Sequence, residues 1–406
     1  MAHLQMAIFV HGTSTSSPSA CLAYGSISRS MSFVLTEDQQ MLRDTALAFA
    51  RDELPTTHLR ALRDAGANGI DPDTRKKLAE LGFFGVIIPD EPGGEQFGLV
   101  GLGQILEAQG RTLAVTPLLQ SALIAPSALQ LSGDDALANE WLPKIAAGEV
   151  TFALASDEGT HHAPTLIETE AKVVDYSVLL NGAKRYVPDA HHADMFIVVA
   201  RTGVKPGDEE GLTLCLVPRD ADGVSVQTLN TLDAHGAAHV SFENVTASAV
   251  LGEIGKGWSV LDPVLDRARI GLSAEMLGSA SAAFEMTLEY LQTRKQFGQL
   301  IGSFQALQHR AALMFTELEL TRSAVSAALS AVDTGREDVP ALASLAKARA
   351  GETLHLVSNE TVQMHGGIGM TDEHDAGLYL KRARVAEALY GGESFHRDRY
   401  AKLHGF

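Results

Sequence analysis

Arg294-Lys295-Gln296-Phe297-Gly298 and Gln363-Met364-His365-Gly366-Gly367-Ile368-Gly369 are the stretches on which the reading of the chain turns. Each ends a long run of apolar residues at helical spacing. Each sets glycines and polar side chains beside backbone N–H groups freed where a helix is interrupted, which suits a phosphate-bearing ligand. Arg294 stands four residues after Tyr290 on a helix expected to end at Gly298, and its planar guanidinium can grip a pyrophosphate with two parallel bonds. Gln296 and Phe297 offer an amide and an aromatic face to an adenine. Gly366, Gly367 and Gly369 let backbone approach a ligand closely. Taken singly, each stretch also reads as a capped helix end. Neither is a G-x-G-x-x-G run after a strand, and Gly252-Glu253-Ile254-Gly255-Lys256-Gly257 fails in the same way, so no Rossmann site is expected.

The runs behind these stretches are helical. Leu261, Leu265, Ala268, Leu272, Leu277, Phe284, Leu288 and Leu291 make one apolar stripe. Phe304 to Val332, Pro340 to Gln363 and Glu373 to Leu389 give three more long helices, so residues 258–406 predict a four-helix bundle. Upstream the texture differs. Thr151–Ala155, Ala171–Leu180, Met195–Ala200, Leu212–Val217, Val224–Leu229 and His239–Val245 read as strands, with Asn181-Gly182 and Asp222-Gly223 as hairpin signals. Residues 150–257 therefore predict a β-sandwich or barrel. Residues 31–149 read as an N-terminal helical domain. It opens on Thr36 with Gln39 as a capping box and continues through Thr74–Leu81, Leu102–Gly110, Pro117–Ser132 and Trp141–Glu149. The expected class is an α+β multidomain chain in the order helical, β, helical.

Composition sets the bounds. The 406 residues exceed one ordinary core, and 45% apolar with 20% charged residues is that of a globular protein. A net charge of −18 argues against nucleic acid or an anionic membrane as main partner. Two cysteines, Cys21 and Cys215, imply neither a disulfide framework nor a thiolate metal site, and fit a reducing compartment. No apolar run is long enough for a membrane span. Residues 1–30 are rich in Ser, Ala and Thr and hold only Arg29 as an ionic residue. They read as a disordered extension before Met31 rather than an organelle-targeting segment, so a bacterial-type cytoplasmic location is expected over a mitochondrial matrix. The pairs His161-His162 and His191-His192 lack a third ligand at supporting spacing and read as solvated loop residues; no metal site is expected. Glu373-His374-Asp375 reads as the cap of the following helix.

R-x-Q-F-G, the following Ile301-Gly302-Ser303-Phe304-Gln305, and Q-x-H-G-G-I-G some 60 residues on, set in the α–β–α order, resemble the acyl-CoA dehydrogenase family. Leu251-Gly252, Gly255 and Gly257-Trp258 resemble that family's exit from its β domain. The resemblance implies FAD-dependent oxidation of the Cα–Cβ bond of an acyl-CoA thioester, with electron-transfer flavoprotein as acceptor. A carboxylate of raised pKa takes the Cα proton, donors stabilise the enolate, and hydride passes to the flavin. It also implies a flavin shared between subunits. Arg294, Gln296, Phe297, Phe304, Gln305, Gln363, Gly366 and Gly367 would hold the ADP part of an FAD seated mainly on a partner.

The other half of the family's site departs from its pattern. Where a T-E-P-x-A-G-S-D-like loop is expected, the chain has Ala155-Ser156-Asp157-Glu158-Gly159-Thr160-His161-His162. The W-I-T/S triplet appears as Tyr186-Val187-Pro188, and Pro188 has neither hydroxyl nor N–H. The Y-E-G-T base motif appears as Tyr390-Gly391-Gly392-Glu393, so Gly391 stands where the Glu should be. Asp266, followed by Arg267, falls near an alternative base position on the first bundle helix; it also reads as a structural ion pair, and Glu393 is a weaker substitute. This unevenness resembles the degenerate subunit of a heteromeric α2β2 acyl-CoA dehydrogenase. The expectation is a chain that lends its ADP-binding half to a related partner. A self-sufficient homotetramer using Asp266 and a flavin-free acyl-CoA binding or scaffold protein are the alternatives.

Overall fold

A computed structural model describes residues 34–66, 70–91, 93–175, 177–203 and 205–406. The expected extension over residues 1–30, the Met31 start and Cys21 lie outside the described residues.

Helix α1 (Glu37–Glu53) begins on the capping box: Thr36 Oγ1 accepts from the Gln39 N–H, and the Gln39 side chain accepts from the Thr36 N–H. α2 (Thr56–Asp64) escaped the sequence reading because Leu59 is its sole buried residue, too little for a periodic stripe. α3 (Pro72–Glu80) is followed by Gly82 at φ +71, and α4 (Gly98–Thr112) is buried along most of its length. The single helix expected over Pro117–Ser132 starts instead as a π-helical segment, Leu118–Ile124, and becomes α5 at Ala125–Leu131. The wider turn faces Gln120 inward, where its Oε1 accepts from the Leu154 N–H. α6 (Asp135–Ala146) starts earlier than expected because Asp134 caps Ala136 and Leu137.

Eight strands follow: β1 (Phe152–Ala155), β2 (Glu170–Val174), β3 (Ser177–Pro188), β4 (Met195–Arg201), β5 (Leu212–Pro218), β6 (Val224–Leu229), β7 (Ala237–Thr246) and β8 (Ala249–Leu251). They join in one mixed sheet, ordered β6-β7-β3-β2-β4-β5-β8, with β1 parallel to β4. β4 is buried on both faces. Phe196, Val198 and Ala200 enter the β core, while Met195, Ile197 and Val199 pack with the helices, so one strand serves two cores.

Both hairpin signals are corrected. Asn181-Gly182 lies inside β3, at a register shift opposite Asn244. The turn falls earlier and splits Ala171–Leu180 into β2 and β3. Gly182 is needed because a Cβ there would strike Thr169. Asp222-Gly223 leads from β5 to β6, which do not pair; the chain crosses there from one side of the sheet to the other.

α7 (Trp258–Thr293) is 36 residues long and packs on α4. At the crossing the two backbones touch: a methyl on Gly110 would collide with the Glu275 carbonyl, and one on Gly278 with the Glu107 carbonyl. α8 (Gln305–Asp333), α9 (Val339–His365) and α10 (Ala376–Ala388) complete the bundle, and α11 (Glu393–Leu403) adds an unforeseen fifth helix against α9. Its apolar content is too low for a stripe; its one buried residue is His396.

Candidate functional site

The two glycine-punctuated stretches meet at one end of the bundle. Tyr290, in the last turn of α7, stacks on His365 at the end of α9 with ring centroids 4.4 Å apart. The helix does not run to Gly298 as expected. α7 stops at Thr293, Arg294 is extended, and Lys295–Gln296 (β9) pairs with Gln299–Leu300 (β10) as a two-stranded ribbon. Its turn is Phe297-Gly298, both at positive φ, the geometry of a two-residue hairpin turn that matches strand twist. Phe297 is 92% exposed, with its ring edge-on to Phe304. The Arg294 guanidinium is exposed and has no ion-pair partner among the described residues. The Gln296 amide returns to the Lys295 carbonyl, and Gln305 and Gln363 are exposed.

Gly366 takes φ +63 at the end of α9, and neither Gly366 nor Gly367 has a neighbour within 4 Å of where a Cβ would stand. Ile368 and Met370 are exposed beside them. The turn beyond is anchored from the N-terminal helices: Asp375 accepts from Thr56 and Arg60, and Asp372 pairs with Arg63. Asp375 thus ties α2 instead of capping α10, and His374 Nδ1 accepts the Ala376 N–H in its place. This end of the bundle offers a cation, two free amides, an aromatic ring and glycine backbone open to close approach, a set whose guanidinium can grip a pyrophosphate and whose ring can face an adenine.

The second region lies against the β domain. A cleft of about 410 Å³ runs between the loop carrying Asp157 to His162, the Arg185-Tyr186 end of β3, and Arg384 to Tyr390. Its walls are strained: Tyr186 at φ +49 and Tyr390 at φ +54 both sit in the left-handed region. Tyr390 is buried, and its hydroxyl accepts from Gln120 Nε2 at 2.6 Å. Pro188 occupies the last position of β3, paired with Ala237.

Behind the cleft an ion-paired chain fills the interior. His162 Nδ1 lies 2.9 Å from Asp157, and its Nε2 faces Arg269 Nη2 at 3.2 Å. Arg269 is 1% exposed; its Nε donates to the Tyr390 carbonyl and its Nη1 to Asp266 at 2.8 Å. Asp266 is held from the other side by Arg399 of α11. Burial lifts the Asp266 carboxyl above the usual carboxylate range against the pull of both arginines. Asp266 does not line the cleft. The α7 arginine that reaches the Tyr390-Gly391 turn is Arg269, not Arg267, and the residue before it is Ala268. Gly391 sits at φ +105, and a Cβ there would meet the Phe395 and His396 rings. Glu393 points elsewhere, onto Arg397. His162 and His191, expected to be solvated, are both buried.

Sequence reasoning missed Gln120, Arg269 and the Phe395 ring that packs against His162. The i, i+3 spacing of Asp266 and Arg269 was a usable signal; the rest join segments far apart in sequence. Among the described residues no cluster of His, Cys, Asp or Glu could hold a metal ion, and no helix is long and apolar enough to cross a membrane.

Three family models match in register with this architecture. They are the acyl-CoA dehydrogenase N-terminal domain over residues 36–149, the middle domain over 152–245 and the C-terminal domain over 255–403. The chain belongs to the acyl-CoA dehydrogenase family, a class of flavoprotein oxidoreductases. It is 30% identical to the probable acyl-CoA dehydrogenase YngJ of Bacillus subtilis over 90% of this chain and 98% of that one. It is 30% identical to CarC, a subunit of the caffeyl-CoA reductase–Etf complex of Acetobacterium woodii, over 88% and 96%. Among solved structures, the ChsE4–ChsE5 complex from Mycobacterium tuberculosis contains a chain that superposes with a TM-score of 0.83 at 26% identity, covering 92% of this chain and 99% of that one.

Proposed function

We propose that this chain serves FAD-dependent acyl-CoA dehydrogenation as the subunit that completes another chain's flavin site. Arg294, Gln296, Phe297, Phe304, Gln305, Gln363, Gly366 and Gly367 hold the ADP part, and a related chain holds the ring and supplies the proton acceptor. One observation carries the reading: the open grip and the cleft are far apart on one rigid helix. Arg269, behind the cleft, and Arg294, at the grip, are separated along α7 by about 37 Å at 1.5 Å per residue. That exceeds the reach of one dinucleotide, so the grip faces outward to a neighbour. The bound flavin would supply hydride acceptance. This chain's residues bind its pyrophosphate and adenine and leave the reacting carbons to the partner.

The cleft supports the same division of labour. Gly391 can neither accept a proton nor receive a side chain, and Asp266 already spends its oxygens on two arginines. The self-sufficient reading with Asp266 as base would require that pair to open. Acyl-CoA as substrate is supported by the family, and an electron-transfer flavoprotein as redox partner by CarC, a subunit of a caffeyl-CoA reductase–Etf complex. Cys215, buried and unpaired among the described residues, fits a reducing setting.

Flavin content tests this directly. Purified alone, the chain is expected to carry little FAD; co-expressed with a related chain, the complex is expected to carry one FAD per pair. Arg294→Ala is expected to strip that flavin at least tenfold, and Asp266→Asn to leave turnover of the complex nearly unchanged. Stoichiometric FAD in the lone chain, bleached by acyl-CoA, would overturn the proposal.

A further inference from the structure

A second cavity lies beside the cleft, at the junction of three parts of the fold. It measures about 40 Å³ and shares Tyr186, Val385 and Leu389 with the cleft wall. α4 contributes Gln109, the end of β3 contributes Asp189, and the loop between β6 and β7 contributes Asp233 and His235. α7 contributes Glu275 and α10 contributes Arg382.

Most of this set is tied down. Arg382 is buried and donates to Asp233 at 2.6 Å and to Glu275 at 2.5 Å, so one guanidinium fastens the β domain to two bundle helices. Three groups are left over. Gln109 is 5% exposed; its Oε1 accepts from Thr116, but its Nε2 has no partner among the described residues. His235 Nε2 is buried and likewise unpartnered. The Asp189 carboxyl has no hydrogen-bond partner among the described residues, and its backbone is held in the left-handed region at φ +61. For Gln109 Nε2 and His235 Nε2, a buried group left unmade costs about 1–3 kcal/mol, while half-buried Asp189 keeps its oxygens open to the cavity. A cavity of this size holds about two or three waters, which can bridge such groups.

The charge count decides what Asp189 can do. Asp233 and Glu275 share Arg382 with each other, and Asp189 is a third carboxyl facing the same single cation. A neutral Asp189 can donate to a bridging water or imidazole nitrogen. An ionised one adds an uncompensated charge at the seam. We propose that Asp189, Gln109 and His235 form a proton-operated joint between the β domain and the helical bundle, closed while Asp189 keeps its proton and loosened when it is lost. The cavity shares its Tyr186 and Leu389 wall with the cleft, so the joint borders the cleft.

The titration of the neighbours agrees. Burial pushes Asp189 up to about 8, with Glu275 and Asp233 adding to the rise and Arg382 opposing it. Burial pushes His235 down to about 4, so it stays neutral and its free nitrogen stays available. Burial raises the Tyr186 hydroxyl well above its usual range, so it does not ionise in the same window. Asp233 is held below the usual carboxylate range by His235 and Arg382 despite its burial, and so stays charged.

The sign follows from linkage. Asp189 keeps its proton in the fold while an unfolded Asp has lost it above about pH 4, so the unfolded chain gains on the fold as pH rises, up to about pH 8. The test compares wild type with Asp189→Asn by chemical denaturation of the full chain from pH 6.5 to 9.5. Taking the difference between them cancels other titrating groups. The unfolding constant of wild type relative to the variant is expected to rise tenfold per pH unit up to about pH 8 and then level off. Parallel curves would overturn the proposal. Should Asp189→Asn not fold, infrared spectroscopy of the wild type keeps the question open to decision. A protonated-carboxyl band that disappears near pH 8, with faster amide exchange in residues 231–236 above the rise intrinsic to pH, is expected. Absence of the band at pH 6.5, or an unchanged exchange ratio across its loss, would reject the joint. None of these readouts involves flavin, so their failure leaves the shared-site reading untouched.

Discussion

The two ends of α7 are built in opposite ways. At its C-terminal end, Arg294, Gln363 and the Gly366-Gly367 backbone are exposed and unspent. Over its first turns, Asp266 and Arg269 are buried and every strong group is spent on another, from Asp157 through His162, Arg269 and Asp266 to Arg399. Side chains kept for a ligand are left unpaired in the free protein, because a bond made internally must be broken before a ligand can use it. Side chains kept for stability are paired, because an unpaired buried charge is expensive. By that measure the C-terminal end is built as a surface open to a ligand, in keeping with the proposed grip, and the N-terminal end is built as framework.

The contrast can be broken experimentally, and the largest effect should come from the framework end. Asp266→Ala takes the nearer carboxylate from Arg269 and Arg399, leaves them Asp262 alone, and is expected to cost about 3 kcal/mol of folding stability. A variant of near-wild-type stability, measured by denaturation, would mean the pair is not the framework described. Next comes Gly391→Ala, which meets Phe395 and His396 at a positive φ. A loss of about 2 kcal/mol is expected. By the same contacts Gly391→Glu should fail to create acyl-CoA oxidation in the lone chain; turnover in that variant would show that the carboxylate alone was missing. The smallest stability effect belongs to the exposed end. Phe297→Ser should change unfolding of the lone chain by less than about 0.5 kcal/mol. Its effect should appear only in complex, as weaker retention of flavin. Equal flavin retention would remove Phe297 from the grip.

How much of this was legible in the sequence follows the range of the forces involved. Local signals were readable: the Thr36–Gln39 box, the strands from Met195 to Leu229, the long stripes of α7 to α9, and the glycine that ends α9. The ribbon at Lys295–Leu300 was mistaken for a helix end because Phe297 adopts a positive φ that glycine would normally announce. Asn181-Gly182 was mistaken for a turn because a dipeptide suited to a hairpin also suits a bulge where backbones crowd. The interior of the cleft was not readable at all. His162, Arg269 and Tyr390 are separated by more than a hundred residues each, and no local pattern says that they touch. The substitution at Gly391 was visible as a missing carboxylate, but not that Phe395 and His396 leave no room for one.

The contact of Gly110 and Gly278 with opposing backbone bears on how such a chain diverges. Where helices are spaced by side chains, a change of residue shifts the spacing and the change is felt at a distance. Here α4 and α7 rest on each other's main chain, and their separation does not depend on which side chains surround them. Residues of the cleft can therefore be exchanged one at a time while the far end of α7 keeps its position. A protein framed in this way can lose a reaction and keep a handshake.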